Sequence, residues 1–258
     1  MAIKKILLNV LGEKKYLSLL ASSFQRLYAV GLLGKEYEDV FFLKKIIRPG
    51  DYCVDIGAHL GYFTLPLSRL TGPAGKVFSV EPMSPFHNTL LRLLQRYKTK
   101  NVTLYQVALG GDGDYVQMGI PATGDTKHFA WARVVDANPH LAFNESEKVK
   151  NESGDRLFSG LPRLDYIKCD VEGLEYRVFA SMTGTIATHH PMLLCEFFDR
   201  EQRIRLFELL KPYNYQAFVL EGGKLAPVDV YAPGPIVAQN DYFIPPQRME
   251  RVLPFIKA

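Results

Sequence analysis

The sequence predicts an α/β fold: a doubly wound, mostly parallel sheet with helices on both faces, behind an N-terminal helical extension over residues 1–48. Three observations predict it. Short apolar runs alternate with segments of helical period in the order βαβαβ…βαβαββ, and that alternation builds a parallel sheet because each connection must cross back over a face. The run Val54-Asp55-Ile56 breaks into Gly57-Ala58-His59-Leu60-Gly61 and then Tyr62-Phe63-Thr64, a strand, a glycine turn and a helix start. Acidic residues stand at or just after the ends of several runs: Asp55, Glu81, Asp170 and Glu196.

The elements follow in order. Residues 1–48 carry two or three helices, the last from Tyr37 to Ile47, stopped by Arg48-Pro49-Gly50-Asp51. The domain proper runs over 49–258. Tyr52–Ile56 is the first strand and Tyr62–Leu70 the helix after it. Lys76–Glu81 is the second strand, ended by Pro82, which cannot donate to a ladder. Ser84 caps the next helix with Pro85 at its first position, and the helix reaches about Lys98. Asn101–Leu109 is the third strand. Residues 110–160 are rich in Gly, Asp, Asn, Lys and Glu, and form an insertion with one or two short strands. The fourth strand is Leu164–Asp170 and the fifth Met192–Phe197. Helices over Leu174–Met182 and Gln202–Leu210 follow them. Tyr215–Leu220, a Gly222-Gly223 turn and Asp241–Ile244 complete the sheet.

Composition bounds the function. The chain of 258 residues is 47% hydrophobic and 22% charged, enough to bury a large core. The net charge of +4 comes without a dense Lys/Arg block, so no nucleic-acid partner is expected. Cys53, Cys169 and Cys195 are scattered in apolar runs and are expected as buried free thiols in a reducing, cytoplasmic setting. No segment is long and apolar enough to span a membrane. Ile3, Ile6, Leu7, Val10 and Leu11 share a helical face, which suits packing on the domain or on a second copy of the chain better than lying on a membrane surface.

Ligands of such a sheet bind beyond the C-terminal strand ends. Glu81 lies twenty residues after Gly61, the arrangement in which one carboxylate takes both hydroxyls of a ribose. A pyrophosphate site needs G-x-G-x-x-G, but Ala58 and His59 stand where the middle glycine belongs. Asp55 beside the turn would repel a pyrophosphate and attract an ammonium. Adenosine joined to an amino acid is S-adenosylmethionine, and this is the cofactor the turn implies. The expected cofactor residues are Asp55, Gly57, Ala58, His59, Gly61, Tyr62, Glu81, Pro82, Ala108 and Asp170.

Val54-Asp55-Ile56-Gly57-Ala58-His59-x-Gly61-Tyr62-Phe63-Thr64, Glu81-Pro82, Asn101-Val102-x-Leu104, Ile167-Lys168-x-Asp170-Val171-Glu172-Gly173-x-Glu175 and Asp241-Tyr242-Phe243-Ile244-Pro245 resemble the FkbM family of class I S-adenosylmethionine-dependent methyltransferases. The resemblance covers about residues 37–246. It implies a Rossmann-like sheet of seven strands with the last antiparallel, and O-methylation, commonly of sugar or polyketide hydroxyls. The chain departs from the family in having His59 where Asn is usual, and in a longer, more polar insertion.

Asp170 and Glu172 follow the fourth strand, where the methyl acceptor should lie, and are the expected catalytic residues. An alcohol attacking a sulfonium needs a group to take its proton. A carboxylate pair suits that role; it also suits a divalent cation, though none is expected. Against this stands a purely structural use of Glu172 and Glu175 at a helix start. His59 suits a methionine contact, a base or a packed turn residue. His128, Trp131 and His140 line an acceptor pocket or form the insertion's own core, and Glu196 faces the acceptor or is a buried, bonded acid. His189 and His190 precede the fifth strand, at the far end of the sheet.

The acceptor expected is a hydroxyl of a small molecule, a sugar or glycolipid. A nucleic-acid methyltransferase is a poorer match, because the fourth strand ends in neither Asn/Asp-Pro-Pro-aromatic nor Pro-Cys. A non-catalytic S-adenosylmethionine-binding module stays open. Assembly through the N-terminal helices is also open.

Overall fold

The computed structural model describes residues 2–123, 126–234 and 240–257. The elements in chain order are α1 (Ala2–Leu11), α2 (Glu13–Val30), α3 (Glu38–Ile46), β1 (Tyr52–Ile56), α4 (Thr64–Thr71), β2 (Lys76–Val80), α5 (Ser84–Arg96), β3 (Val102–Tyr105), β4 (Ala108–Leu109), β5 (Tyr115–Thr123), β6 (Thr126–Lys127), β7 (Arg133–Val134) and β8 (Phe143–Glu152). Then come α6 (Gly154–Phe158), β9 (Tyr166–Cys169), α7 (Glu175–Ala180), α8 (Thr183–His189), β10 (Met192–Glu196), α9 (Arg200–Leu210), β11 (Gln216–Glu221), β12 (Lys224–Pro227), β13 (Asn240–Ile244) and α10 (Met249–Val252).

The main sheet runs β12-β11-β13-β10-β9-β1-β2-β3. Strands β3, β2, β1, β9 and β10 are parallel, and β13 lies antiparallel between β10 and β11. The antiparallel last strand is as expected. The count of seven is not: the Gly222-Gly223 turn starts a hairpin whose second arm, β12, adds an eighth strand antiparallel to β11. Strand order reverses between β1 and β9, so the switch point, where crossovers diverge to opposite faces, opens above the glycine turn.

Period-two burial separates the two faces. Val54, Ile56, Ile167, Cys169, Leu193, Cys195 and Phe243 enter one core, and Cys53, Tyr166, Met192, Leu194, Tyr242 and Ile244 enter the other. All three cysteines are buried free thiols, as expected. Asp55 and Lys168 fall in the second alternation and face each other across β1 and β9. Arg203 on α9 grips fully buried Asp241 of β13 with two guanidinium hydrogen bonds, one of 2.9 Å. Removing one partner of such a pair costs about 3–5 kcal/mol because the other charge stays buried. Asp241→Ala is therefore expected to lower the unfolding temperature by roughly 10 °C in a thermal melt.

The other corrections concern what the chain does around β3. The third strand is two: β3 ends at Tyr105, and Ala108-Leu109 leave to pair with β8 in a second sheet, β4-β8-β5-β6, with β7 on β5. The insertion is thus a five-stranded sheet built on the long β5–β8 hairpin. Its outer face is polar, so apolar content alone understated it. Ser84 is the first residue of α5 and Met83 its cap; the Ser84 N–H is taken by the Glu147 carboxylate on β8. Helix α2 packs Tyr16, Leu17 and Ala21 with Phe86, Leu90 and Leu93 of α5, and Leu7 and Leu8 of α1 join that cluster. The side chains of Ile3 and Ile6 lie outside the described residues.

Candidate active site

Parallel register aligns the strand ends. Ile56 pairs with Val80 and with Cys169, and Cys169 with Cys195. The next residues, Gly57, Glu81, Asp170 and Glu196, therefore emerge along one edge. Antiparallel β13 starts there as well, because Asn240 pairs with Glu196. Two recesses open on this edge and share Gly57, His59 and Asp170. One, of about 470 Å³, is lined also by Glu81, Pro82, Met83, Phe86, Phe129 and Glu172. The other, of about 720 Å³, is lined also by Tyr37, Ala58, Tyr62, Lys168, Glu196 and Asn240.

The glycine turn is a tight joint. Gly57 has φ +73°, and a Cβ there would stand 1.8 Å from the Asp170 carbonyl oxygen. His59 adopts φ 47°, and its N–H donates to Glu81 Oε2 at 2.7 Å. Glu81 Oε1 accepts from the Met83 N–H at 2.9 Å. Burial pushes the Glu81 carboxyl up to about 7, against these two amide bonds. Each of its oxygens keeps a free lone pair for a diol. Burial lowers His59 to about 4, so its ring is neutral, and its centroid lies 4.3 Å from that of Phe86, the two rings tilted by 58°.

Three expected cofactor residues line neither recess. Asp55 is fully buried below the turn, with Oδ2 accepting from the Thr64 hydroxyl at 2.6 Å and Oδ1 3.7 Å from Lys168 Nζ. It braces the turn. Gly61 is a packing glycine: a Cβ would meet Leu90 Cδ1 at 2.6 Å, and its carbonyl accepts from Gln25 Nε2 at 3.1 Å. Ala108 has left the main sheet and is buried with the α5 cluster. Gly57, Ala58, His59, Tyr62, Glu81, Pro82 and Asp170 do line the recesses.

The acids form one group. Among the described residues, Asp170, Glu172 and Glu196 bring carboxylate oxygens within 4.8 Å of one another. Buried Lys168 donates to the Gly57 carbonyl at 2.9 Å and lies 3.2 Å from Asp170 Oδ2. Burial would raise Asp170, but the Lys168 ammonium and a hydrogen bond with Glu196 hold it below the usual range. Glu196 is pushed up to about 9 by burial and then by the Asp170 charge. At neutral pH the pair is an Asp170 carboxylate bonded to a protonated Glu196. Burial and then Asp170 raise Glu172 to about 7, opposed by Arg133 of β7, which pairs with it. Arg133 also donates from Nε to the Trp131 carbonyl at 3.1 Å.

Sequence reasoning assigned no site role to Lys168, Arg133, Tyr37 or Asn240. Lys168 had a signal, a charge inside a buried strand, but its partner Asp55 appears only with the register of β1 and β9. Trp131 is half exposed and stacked on His128 at 4.6 Å, so it is not the core of the insertion. His140 is exposed and lines neither recess, and His189 and His190 sit at the opposite end of β10, as expected.

A methyltransferase FkbM domain model matches residues 55–218, more than half of the chain. The chain belongs to the FkbM methyltransferase family. Membership makes it a methyltransferase with S-adenosylmethionine as methyl donor. It is similar to a methyltransferase FkbM from Methylobacillus flagellatus at 17% identity and a TM-score of 0.47, covering 93% of this chain and 60% of that one. An S-adenosylmethionine-dependent O-methyltransferase from Thermotoga maritima is 13% identical, with a TM-score of 0.43 and coverage of 82% and 66%. The chain thus spans less than two thirds of the length of either. No curated protein matches it.

The residues present fit the donor. Glu81 would take the ribose hydroxyls, with Pro82, Met83 and Phe86 as apolar neighbours of the base. The acidic edge would receive the ammonium and face the sulfonium.

Proposed function

We propose that this FkbM methyltransferase transfers the methyl group of S-adenosylmethionine to a hydroxyl of a neutral small molecule, a sugar or glycolipid, with Glu172 as the proton acceptor. The observation that carries this reading is the acidic group of Asp170, Glu172 and Glu196 beside the glycine turn. Such an edge disfavours phosphate-bearing acceptors, nucleic acids included, and offers several acceptors to the hydroxyls of a polyol. The bound donor supplies an electrophilic methyl. The chain's own work is to orient the acceptor and receive its proton. Asp170, held ionised by Lys168, and protonated Glu196 position the hydroxyl. Glu172, with a pKa near neutrality, is matched to take the proton.

The test is labelled methyl transfer onto neutral sugars, lipid-linked glycans, polyketides and oligonucleotides, with and without chelator. Transfer to sugars that survives chelator supports the proposal; transfer only to nucleic acid overturns it. A carboxyl must be deprotonated to act as a base. The rate is therefore expected to rise as pH increases through about 7, and Glu172→Gln is expected to remove that limb and cut turnover by roughly 100-fold. A pH–rate profile with the same limb in both proteins would exclude Glu172 as the base.

A further inference from the structure

The second recess opens beside an exposed apolar tip. Helix α2 ends in a Schellman turn, with the Gly31 N–H donating to the Tyr28 carbonyl at 3.1 Å and the Leu32 N–H to the Leu27 carbonyl at 2.9 Å. That turn places Leu32 against Leu27, yet Leu32 stays 71% exposed, Val30 66% and Leu27 42%. Capping explains why these residues are neighbours. It does not explain why three large aliphatics face water together. The next residues, Lys35–Tyr37, form a 3₁₀ turn whose Glu36 and Tyr37 line the recess of Glu196 and Asp170.

Cations surround this tip. Lys44 Nζ lies 5.0 Å from the Tyr28 ring centroid, and Arg69 bears on Tyr28 and stands 5.4 Å from the ring of half-exposed Tyr97. Arg26 and Lys35 are exposed on either side. None of these four cations pairs with a carboxylate among the described residues. Exposed aliphatics flanked by unpaired cations match the chemistry of an anionic bilayer surface, with apolar side chains for the acyl boundary and cations for the headgroups.

We propose that the end of α2, with Arg26, Lys35, Lys44 and Arg69, docks on an anionic lipid bilayer and so brings the mouth of the catalytic recess to a membrane-anchored acceptor. The acceptor class rests on the sugar or glycolipid reading above. The docking does not.

The test is co-sedimentation of the full chain with phosphatidylcholine vesicles, with and without phosphatidylglycerol. Binding is expected only with the anionic lipid and should weaken as salt rises. Arg26→Gln and Lys35→Gln should each lower partitioning roughly fivefold. The double variant Val30→Asp/Leu32→Asp should lower it on the order of tenfold or more, with an unchanged thermal melt because both side chains are exposed. No binding beyond the neutral-lipid control, or binding that the double variant leaves intact, overturns the proposal. So does sedimentation velocity showing a dimer that the double variant dissolves, because the occupant is then a second copy. A separate arm compares methyl transfer to a lipid-linked sugar in anionic vesicles with transfer to its water-soluble counterpart. The double variant should slow only the first. Vesicle binding without transfer to any sugar would remove the acceptor reading and leave the docking.

Discussion

Gly57→Ala is expected to lose most of the methyl-transfer activity and to destabilise the fold, whereas Gly113→Ala is expected to do little. The two glycines share a backbone φ of +73°. An alanine at either pays for the left-handed region, roughly 1–2 kcal/mol. They differ in surroundings. A Cβ at Gly113 meets nothing within 4 Å, and one at Gly57 would stand 1.8 Å from the Asp170 carbonyl oxygen. That oxygen belongs to the backbone, so the clash is relieved only by moving the end of β9 away from β1. Overpacking adds roughly 1–3 kcal/mol, for a total near 2–5 kcal/mol and a fall in unfolding temperature of about 5–15 °C. The displaced strand end carries Asp170 and Glu172, and a misplacement of about 1 Å there costs on the order of 100-fold in rate. Thermal melts and initial rates on the two variants check this. Equal losses at both positions would show that only the local conformation matters and that the β1–β9 joint is not tight.

The same joint shows what a sequence can and cannot disclose. The period-two runs at Tyr52–Ile56, Tyr166–Cys169 and Met192–Glu196 were legible because burial on both faces leaves a strongly apolar stretch. The glycine turn and Glu81 were legible because their spacing is fixed by local geometry. Whether Asp55 faces the recess or braces the turn was not legible, because that depends on which way a strand residue points. That is set by the register with β9, not by distance along the chain. Lys168, though part of the motif, was given no role for the same reason. Ala108 was misassigned because β3 and β4 are continuous in sequence but belong to different sheets. The choice between those sheets is made by partners on β8, about forty residues away. Glu172 and Asp170 were placed correctly as neighbours at a strand end. Their division of labour was not legible, because it depends on Lys168 of their own strand and on Arg133 and Glu196 reaching them from two others.

Lys168→Met is expected to give a stability deficit that depends on pH. Among the described residues its ammonium is the one cation within 4 Å of both Asp55 and Asp170. Burial alone would lower the Lys168 pKa, but Asp170 and then Asp55 hold it above the usual lysine value. In the native chain Asp170 sits below its usual range. It therefore contributes stability above the unfolded carboxylate value, about 4, and loses it as pH falls through the folded value. Without Lys168 the sign reverses. Burial and the neighbouring acids then raise Asp170 above its unfolded value, so its contribution declines as pH rises from about 4. The gap between variant and native protein should be largest near pH 7, on the order of 3–5 kcal/mol. It should shrink as pH falls toward about 4, because the raised acids of the variant take up their protons, and further below that, as the native Asp170 does. Lys168→Arg should recover part of it by keeping the charge. Urea melts across this range measure the gap. A deficit of the same size at every pH would mean that Lys168 acts through packing against Phe63, whose ring centroid is 5.4 Å from its Nζ, and not through the carboxylates. A pH-dependent deficit would establish that one buried ammonium fixes both the glycine turn, through the Gly57 carbonyl, and the charge on Asp170.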